Sequence, residues 1–217
     1  MSFGVGRFEM DELRLVVGAM VILSGATALL VVMPYLLLKD QPPTPGLKPY
    51  TELQAQGRQV YIANGCVYCH SQQPRDIALG PDALRGWGRA PVAGDYAYDT
   101  PHLLGTMRTG PDLFNIGARQ PSRDWHLGHL YQPRAYTPGS IMPSYPFLFE
   151  TRPGAARPGE TVLSLPPAWA KPGQVVVARP EALALVDYLI GLDHAYPALQ
   201  PLPVATSAAA PAKKAGV

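Results

Sequence analysis

The segment "NGCVYCHSQQPRD", residues 64–76, contains both cysteines of the chain, Cys66 and Cys69, with a histidine, His70, immediately after the second. In a Cys-x-x-Cys-His arrangement the two thiols can add to the vinyl groups of a haem while the imidazole reaches the iron from the same side. This is the spacing of c-type haem attachment. Other uses of paired cysteines fit less well. A structural zinc site usually draws on four Cys or His ligands with a second pair at similar spacing, and the chain has no further cysteine. A thioredoxin-like pair belongs in an alternating strand and helix sequence, and a plain disulfide leaves the histidine unexplained.

Iron held by His70 on one face needs a second protein ligand for electron transfer or an open position for a small molecule. Met142, in "GSIMPSYPF", is the expected ligand, because a soft thioether favours reduced iron and Pro143 restricts the backbone that presents it. Met107 is the fallback and an open iron the third option. The other methionines, Met1, Met10, Met20 and Met33, lie at or within an apolar N-terminal stretch. A ligating histidine usually donates its other ring N–H to a carbonyl or carboxylate. The Pro111 carbonyl in "RTGPDL" is the expected acceptor, with Gly110 allowing close approach. His126 and His129, three residues apart, could share a helix face for zinc or a second haem. No further attachment motif accompanies them, so surface or subunit contact is expected. His102 and His194 read as structural or exposed. Trp87, Trp125, Arg119 and Arg134 could reach the haem edge or propionates, but core packing is expected for the tryptophans and a solvated face for the arginines.

These residues need elements to position them. "TELQAQGRQVYIANG" predicts a helix starting at Thr51, with Leu53, Val60 and Tyr61 along one side. Gly57 inside it suggests that another helix crosses closely. A second helix is predicted at "RPEALALVDYLIGLDHAYP", where Pro180 suits the first helical position and Leu183, Val186, Leu189 and Ile190 recur at helical spacing. Between them lie the short candidates "PDLFNIG" and "SRDWHLGHLYQP" and an irregular or hairpin-like insertion, "ETVLSLPPAWAKPGQVVVARP". Ahead of this domain, Leu15 to Leu38 carries no charge, long enough for an uncleaved transmembrane helix and too long for the apolar region of a signal peptide. Gly18 and Gly25 fall on one side of that helix, where a partner helix could approach.

The expected organisation is therefore an N-terminal segment over 1–12, a transmembrane helix over 13–38, a stiff Pro-rich linker over 39–50, a domain over 51–200 and a disordered tail over 201–217. The chain has 217 residues and a net charge of +2, with Lys and Arg scattered. This argues against nucleic acid as a partner. With 25 prolines, much of the domain should be fixed loop. Arg7 and Arg14 before the membrane helix balance Lys39 and Lys48 after it, so charge does not orient it. Haem c is attached on the oxidising side of an energy-transducing membrane. That places the domain in the periplasm or its equivalent and the N-terminus in the cytoplasm.

Four ordered blocks, "GRQVYIANGCVYCHSQQ", "VAGDYAYDTPHLLGTMRTGPDL", "DWHLGHLYQPR" and "SIMPSYPFL", together resemble the membrane-anchored mono-haem cytochrome c subunit, subunit II, of cbb3-type cytochrome c oxidases in the bacterial inner membrane. The resemblance implies a mainly α protein, one transmembrane helix plus a class I cytochrome c domain with a loop-rich insertion. It implies one covalent haem c on Cys66 and Cys69, axial ligands His70 and Met142, and Pro111 behind His70. It further implies a haem-copper catalytic subunit and often a di-haem cytochrome c subunit as partners. The role would be electron transfer from a cytochrome c donor toward O₂ reduction, without catalysis by the subunit itself. The segment "SQQPRDIALGPDALRGWGRAP" and residues 151–180 depart from the resemblance. Two other classes stay open: the cytochrome subunit of a nitric oxide reductase or related haem-copper complex, and a gas sensor or peroxidase with open iron.

Overall fold

The computed structural model describes residues 12–197, and the chain divides after Pro42 into two compact units. In the first unit, helix α1 (Glu12–Leu38) runs for 27 residues and is long and apolar enough to cross a membrane. At about 1.5 Å per residue it measures roughly 40 Å, against roughly 30 Å of bilayer hydrocarbon. Its side chains are exposed throughout, as at Leu30 and Ile22. A Cβ added at Gly18 or Gly25 would meet nothing within 4 Å. Residues Ala28–Val32 adopt a wider π-helical turn just ahead of Pro34. Proline lacks the N–H that would bond four residues back and its ring presses on that carbonyl, so the helix widens there instead of breaking. The expected disordered tail, 201–217, and the segment before Glu12 lie outside the described residues.

The second unit begins inside the proline-rich stretch. Thr44 is buried and its N–H donates to the Gly94 carbonyl at 3.1 Å. Tyr50 packs against Tyr188 with ring centroids 5.7 Å apart and donates its hydroxyl to Asp99 at 2.8 Å. Residues 43–50, part of the stretch expected as a stiff, extended linker, thus lie along the domain. An already extended segment loses little entropy on docking, and its backbone groups find partners there.

Helix α2 (Glu52–Ala63) opens with a capping box. The Gln54 N–H donates to Thr51 Oγ1 at 3.2 Å, and the Thr51 N–H donates to Gln54 Oε1 at 3.0 Å. These bonds satisfy donors that a helix start leaves free. Helix α3 (Ile116–Arg119), α4 (Arg123–Tyr131) and α5 (Pro133–Tyr136) follow a long loop region. Helix α6 (Pro180–Gly191) closes the domain. It buries Ala182, Leu185, Val186, Tyr188 and Leu189 against Tyr61, Ile116, Leu127 and Leu130. The insertion is a two-stranded antiparallel sheet, β1 (Phe149–Pro153) paired with β2 (Gln174–Ala178) from Phe149↔Ala178 to Pro153↔Gln174. Its inner side adds Phe149, Val176 and Ala178 to the same core.

Helices α2 and α6 cross at Gly57. A Cβ built there would lie 1.9 Å from the Ala184 carbonyl oxygen, so only glycine permits this approach. Gly57→Ala is expected to lower the thermal unfolding midpoint. Overpacking costs about 1–3 kcal/mol and outweighs the gain of about 1 kcal/mol in helix propensity. A calorimetric scan in which the variant melts at or above the parent would show that the crossing is looser than this.

Candidate functional site

The end of α2 places the cysteines. Gly65 takes φ 66°, ψ 24°, a left-handed conformation suited to glycine. The chain then turns through a 3₁₀ helix, Cys66–Tyr68. The Cys69 and His70 N–H groups both donate to the Cys66 carbonyl, at 3.1 and 3.0 Å. Both cysteines are free thiols, Cys66 half-buried and Cys69 exposed. Burial pushes the Cys66 thiol up to about 11, so a thiolate is disfavoured at this position. Redox and metal-binding cysteines need a thiolate, whereas a neutral thioether loses nothing from burial.

The His70 ring is held from behind. Its Nδ1 lies 2.7 Å from the Pro111 carbonyl oxygen, which leaves Nε2 as the ring nitrogen free to ligate. Gly110 lies against the ring: an added Cβ would sit 2.3 Å from His70 Cε1. The Gly110 N–H donates to the Cys69 carbonyl at 2.8 Å and the Leu113 N–H to the Ser71 carbonyl at 2.8 Å. The "TGPDL" segment is thereby laced to the cysteine turn from both sides. Desolvation lowers the His70 pKa, partly opposed by the Pro111 bond. A metal ligand must be neutral imidazole.

A polar network that the sequence did not reveal supports this turn. Asp112, fully buried, accepts from the Ser71 hydroxyl at 2.5 Å and from the backbone N–H groups of Gln73 and Phe114 at 2.8 Å each. Burial outweighs these bonds and raises its pKa. Arg108 donates to Ser71 Oγ at 3.0 Å, to the Gln73 carbonyl at 2.6 Å and to Asp82 at 2.5 Å. Asp82, also fully buried, takes the Arg75 N–H at 2.7 Å. Burial by itself pushes the Asp82 carboxyl up, but the Arg75 and Arg108 bonds overcome it and hold the pKa below the usual range.

A depressed carboxyl stabilises the fold above its unfolded value of about 3.9, and that stability is lost as the pH falls through the native value. Asp82→Asn is therefore expected to cost about 1.5–3 kcal/mol at pH 7. The deficit should shrink as the pH falls below about 4. Denaturant titrations of both proteins across pH 3–7 check this, and a deficit independent of pH would contradict it.

Met142 is half-buried. It packs against the same core that Cys66 and Val67 border, and its loop is fastened to the end of α4. The Tyr145 N–H donates to the Leu130 carbonyl at 2.9 Å, and Ser144 Oγ lies 3.2 Å from Gln132 Oε1. Burial raises the Tyr145 pKa, and Tyr145 borders the same core as Cys66 and Met142, so this loop runs close to the cysteine turn. Met107 is 56% exposed, on the surface instead of against the core.

Some of the remaining residues sit where expected and others do not. His126, expected at the surface or in a subunit contact, is buried, with Nε2 2.8 Å from the Gln120 carbonyl oxygen. That bond spares the ring a burial cost. Trp125 stacks on His129. Arg119 is half-buried and donates to the Asp112 carbonyl at 3.1 Å, whereas Arg134 is exposed. His194 is buried and stacked on Phe114, centroids 3.9 Å apart. Trp87 is buried beneath the guanidinium groups of Arg85 and Arg108. Among the described residues, no group of three or more His, Cys, Asp or Glu comes together for a metal ion. The zinc reading of His126 and His129 therefore gains no third ligand.

A mainly helical domain, a buttressed histidine beside two free cysteines, and an N-terminal helix able to cross a membrane are consistent with an anchored cytochrome c domain. Residues 6–162 match the family described as "Cytochrome C oxidase, mono-heme subunit/FixO", and the chain belongs to that family. It is thus a subunit of an oxidoreductase complex, acts in electron transfer with other oxidase subunits, and carries one haem. Comparison with curated proteins finds no match.

The residues fit such a group. Gly110 clears the space that a Cβ would take from the His70 ring, His70 is kept neutral, and Cys66 is held as an uncharged sulfur.

Proposed function

We propose that this subunit takes single electrons from a cytochrome c donor and delivers them to a haem-copper catalytic subunit that reduces O₂ to water. Cys66 and Cys69 hold the haem through two thioether bonds. His70 and Met142 are its axial ligands, and Pro111 accepts the His70 ring N–H. When bound, the haem supplies a one-electron iron couple. The Pro111 bond fixes the tautomer and plane of His70 and strengthens it as a donor, while Gly110 lets the backbone approach the ring. Met142, on a loop pinned through Tyr145 and Ser144, would supply the second protein ligand. With two side chains holding the iron, O₂ would have no place to bind, so the subunit relays electrons and leaves catalysis to its partner.

The single observation that carries this reading is the His70–Pro111 bond, with Gly110 against the ring and two free cysteines on the adjoining turn. Helix α1 serves as the anchor, with the N-terminus in the cytoplasm and the domain, residues 51–200, in the periplasm of a bacterial inner membrane. The partners in this reading are the catalytic subunit and a di-haem cytochrome c subunit.

Purification of the full chain from membranes in mild detergent tests the assignment by identifying each copurifying chain and haem type. A haem-copper subunit and O₂ consumption driven by reduced cytochrome c are expected. A complex that reduces nitric oxide instead, or a chain that purifies alone with ligand-binding iron, would overturn it.

A further inference from the structure

Between Pro74 and Trp87 the chain passes through two turns whose polar and apolar groups are reversed for a surface loop. The Leu79 and Gly80 N–H groups close the first turn on the Asp76 carbonyl at 2.8 and 3.0 Å, and the Trp87 N–H closes the second on the Asp82 carbonyl at 3.1 Å. The Asp82 carboxylate is fully buried, bonded to the Arg75 N–H and to the Arg108 guanidinium. Ile77, Leu79 and Leu84 stand in solvent instead, 65%, 75% and 79% exposed.

Exposed aliphatic residues are ordinary when scattered singly, but three large ones on a loop fixed by a buried carboxylate mark a surface that something covers. Haem is not that cover. The loop is anchored from Asp82 through Arg108 to Ser71 and Asp112, beside the Pro111 carbonyl that backs the His70 ring, whereas a haem ligated through Nε2 lies on the other side of that ring. A passing redox partner fits poorly too, because such encounters are small and steered by charge, and the most exposed side chains here are aliphatic. Permanent interfaces resemble a core cut in half, and the chain belongs to a family of oxidase subunits, so permanent neighbours are at hand. One charge at the loop is left over. Arg85 is exposed, and its guanidinium lies 5.1 Å over the Trp87 ring and meets no carboxylate among the described residues. The loop's own carboxylates are engaged, Asp82 as above and Asp76 with the Ala78 N–H at 2.9 Å. An arginine fork held on an aromatic face is suited to an ion pair across an interface.

Building on membership of an oxidase complex, on which the function above also rests, we propose that residues 76–85 are a docking loop. Ile77, Leu79 and Leu84 seat in an apolar hollow on another subunit of the complex, and Arg85 pairs with a carboxylate at the edge of that hollow. The buried Asp82 holds the loop in shape beforehand, so little ordering cost falls on assembly. Residues 76–85 lie in the stretch that departs from the family resemblance, so the loop fits this chain to its own partner.

The test uses the full chain in its membrane complex. A benzoylphenylalanine photocrosslinker introduced at Leu84 is expected to give an adduct with another oxidase subunit. An adduct with lipid, with a second copy of this chain or with the soluble cytochrome c donor overturns the proposal, as does no adduct at all. In parallel, Ile77→Ser, Leu79→Ser and Leu84→Ser are combined, at exposed positions where substitution rarely unfolds a domain. This variant is expected to keep the haem spectrum of the parent, yet to retain only about a tenth of the other subunits after washing in mild detergent. Arg85→Glu should lose a comparable share and Arg85→Lys less.

Undiminished retention in the triple serine variant or in Arg85→Glu overturns the proposal. If the serine variant loses its haem or fails to fold, the photocrosslink decides. A parent that purifies alone sinks the function proposed above together with this inference. A parent complex that reduces nitric oxide sinks that function and leaves the docking loop to the crosslink, whereas an O₂-consuming complex that keeps its subunits in the variants sinks this inference alone.

Discussion

Replacing Cys66 and Cys69 together by alanine is expected to turn a pigment that stays with the protein in acidified acetone into one that washes out, or to yield no pigment at all. Covalent thioethers survive acid and solvent, while axial ligation does not, because acid protonates the histidine and releases the iron. The effect should be all-or-none for the double variant and partial for either single variant, since one remaining thioether still tethers the ring. The two positions differ in what else they lose. Cys66 is half-buried and borders the core, so its truncation also removes packing, whereas Cys69 is exposed and its loss should show almost entirely in attachment. Pigment from the parent that extracts freely would remove the covalent part of the reading. The family's single haem would then have to be held by ligation alone.

Met142→Ala should have the next largest effect. The methionine-to-iron charge-transfer band disappears, the ferrous protein gains the ability to bind carbon monoxide, and the reduction potential drops. Axial ligands set haem potentials over roughly 0.8 V, and a fall on the order of 0.2 V is expected when a thioether is replaced by water. Met107→Ala is the matched control. Met107 is mostly exposed, whereas Met142 packs at the core beside the cysteine turn, so the control should leave spectrum and potential as in the parent. A parent spectrum that survives Met142→Ala and is lost in Met107→Ala would reverse the assignment. One that survives both would point to an iron with an open face, and with it a sensor or peroxidase.

Both outcomes depend on how firmly the surrounding chain holds its shape. The Asp82–Arg108–Ser71–Asp112 network joins the loop after His70 to the segment that carries Pro111. A variant that loosens it should disturb the spectrum even though none of these side chains is a proposed ligand. Gly57 and Gly110 are the two points where an extra methyl group would be felt at once, the first between helices and the second against the histidine ring.

Much of this was legible in the order of residues because the information is local. Cys66, Cys69 and His70 sit within a single turn, so their joint chemistry needs no folding to be recognised. The apolar run of α1, the Thr51 and Gln54 cap and the periodicity of α6 are likewise properties of short windows, set by backbone hydrogen bonding and side-chain spacing. Gly57 announced the crossing with α6 because an interior glycine is costly without such a reason. The tertiary structure alone decided what depends on distant segments meeting. It laid residues 43–50 along the domain, buried His126, placed Arg108 between Asp82 and Ser71, and left Ile77, Leu79 and Leu84 exposed. Burial and pairing are set by which segments come together, and a residue's neighbours in space cannot be read from its neighbours in the chain.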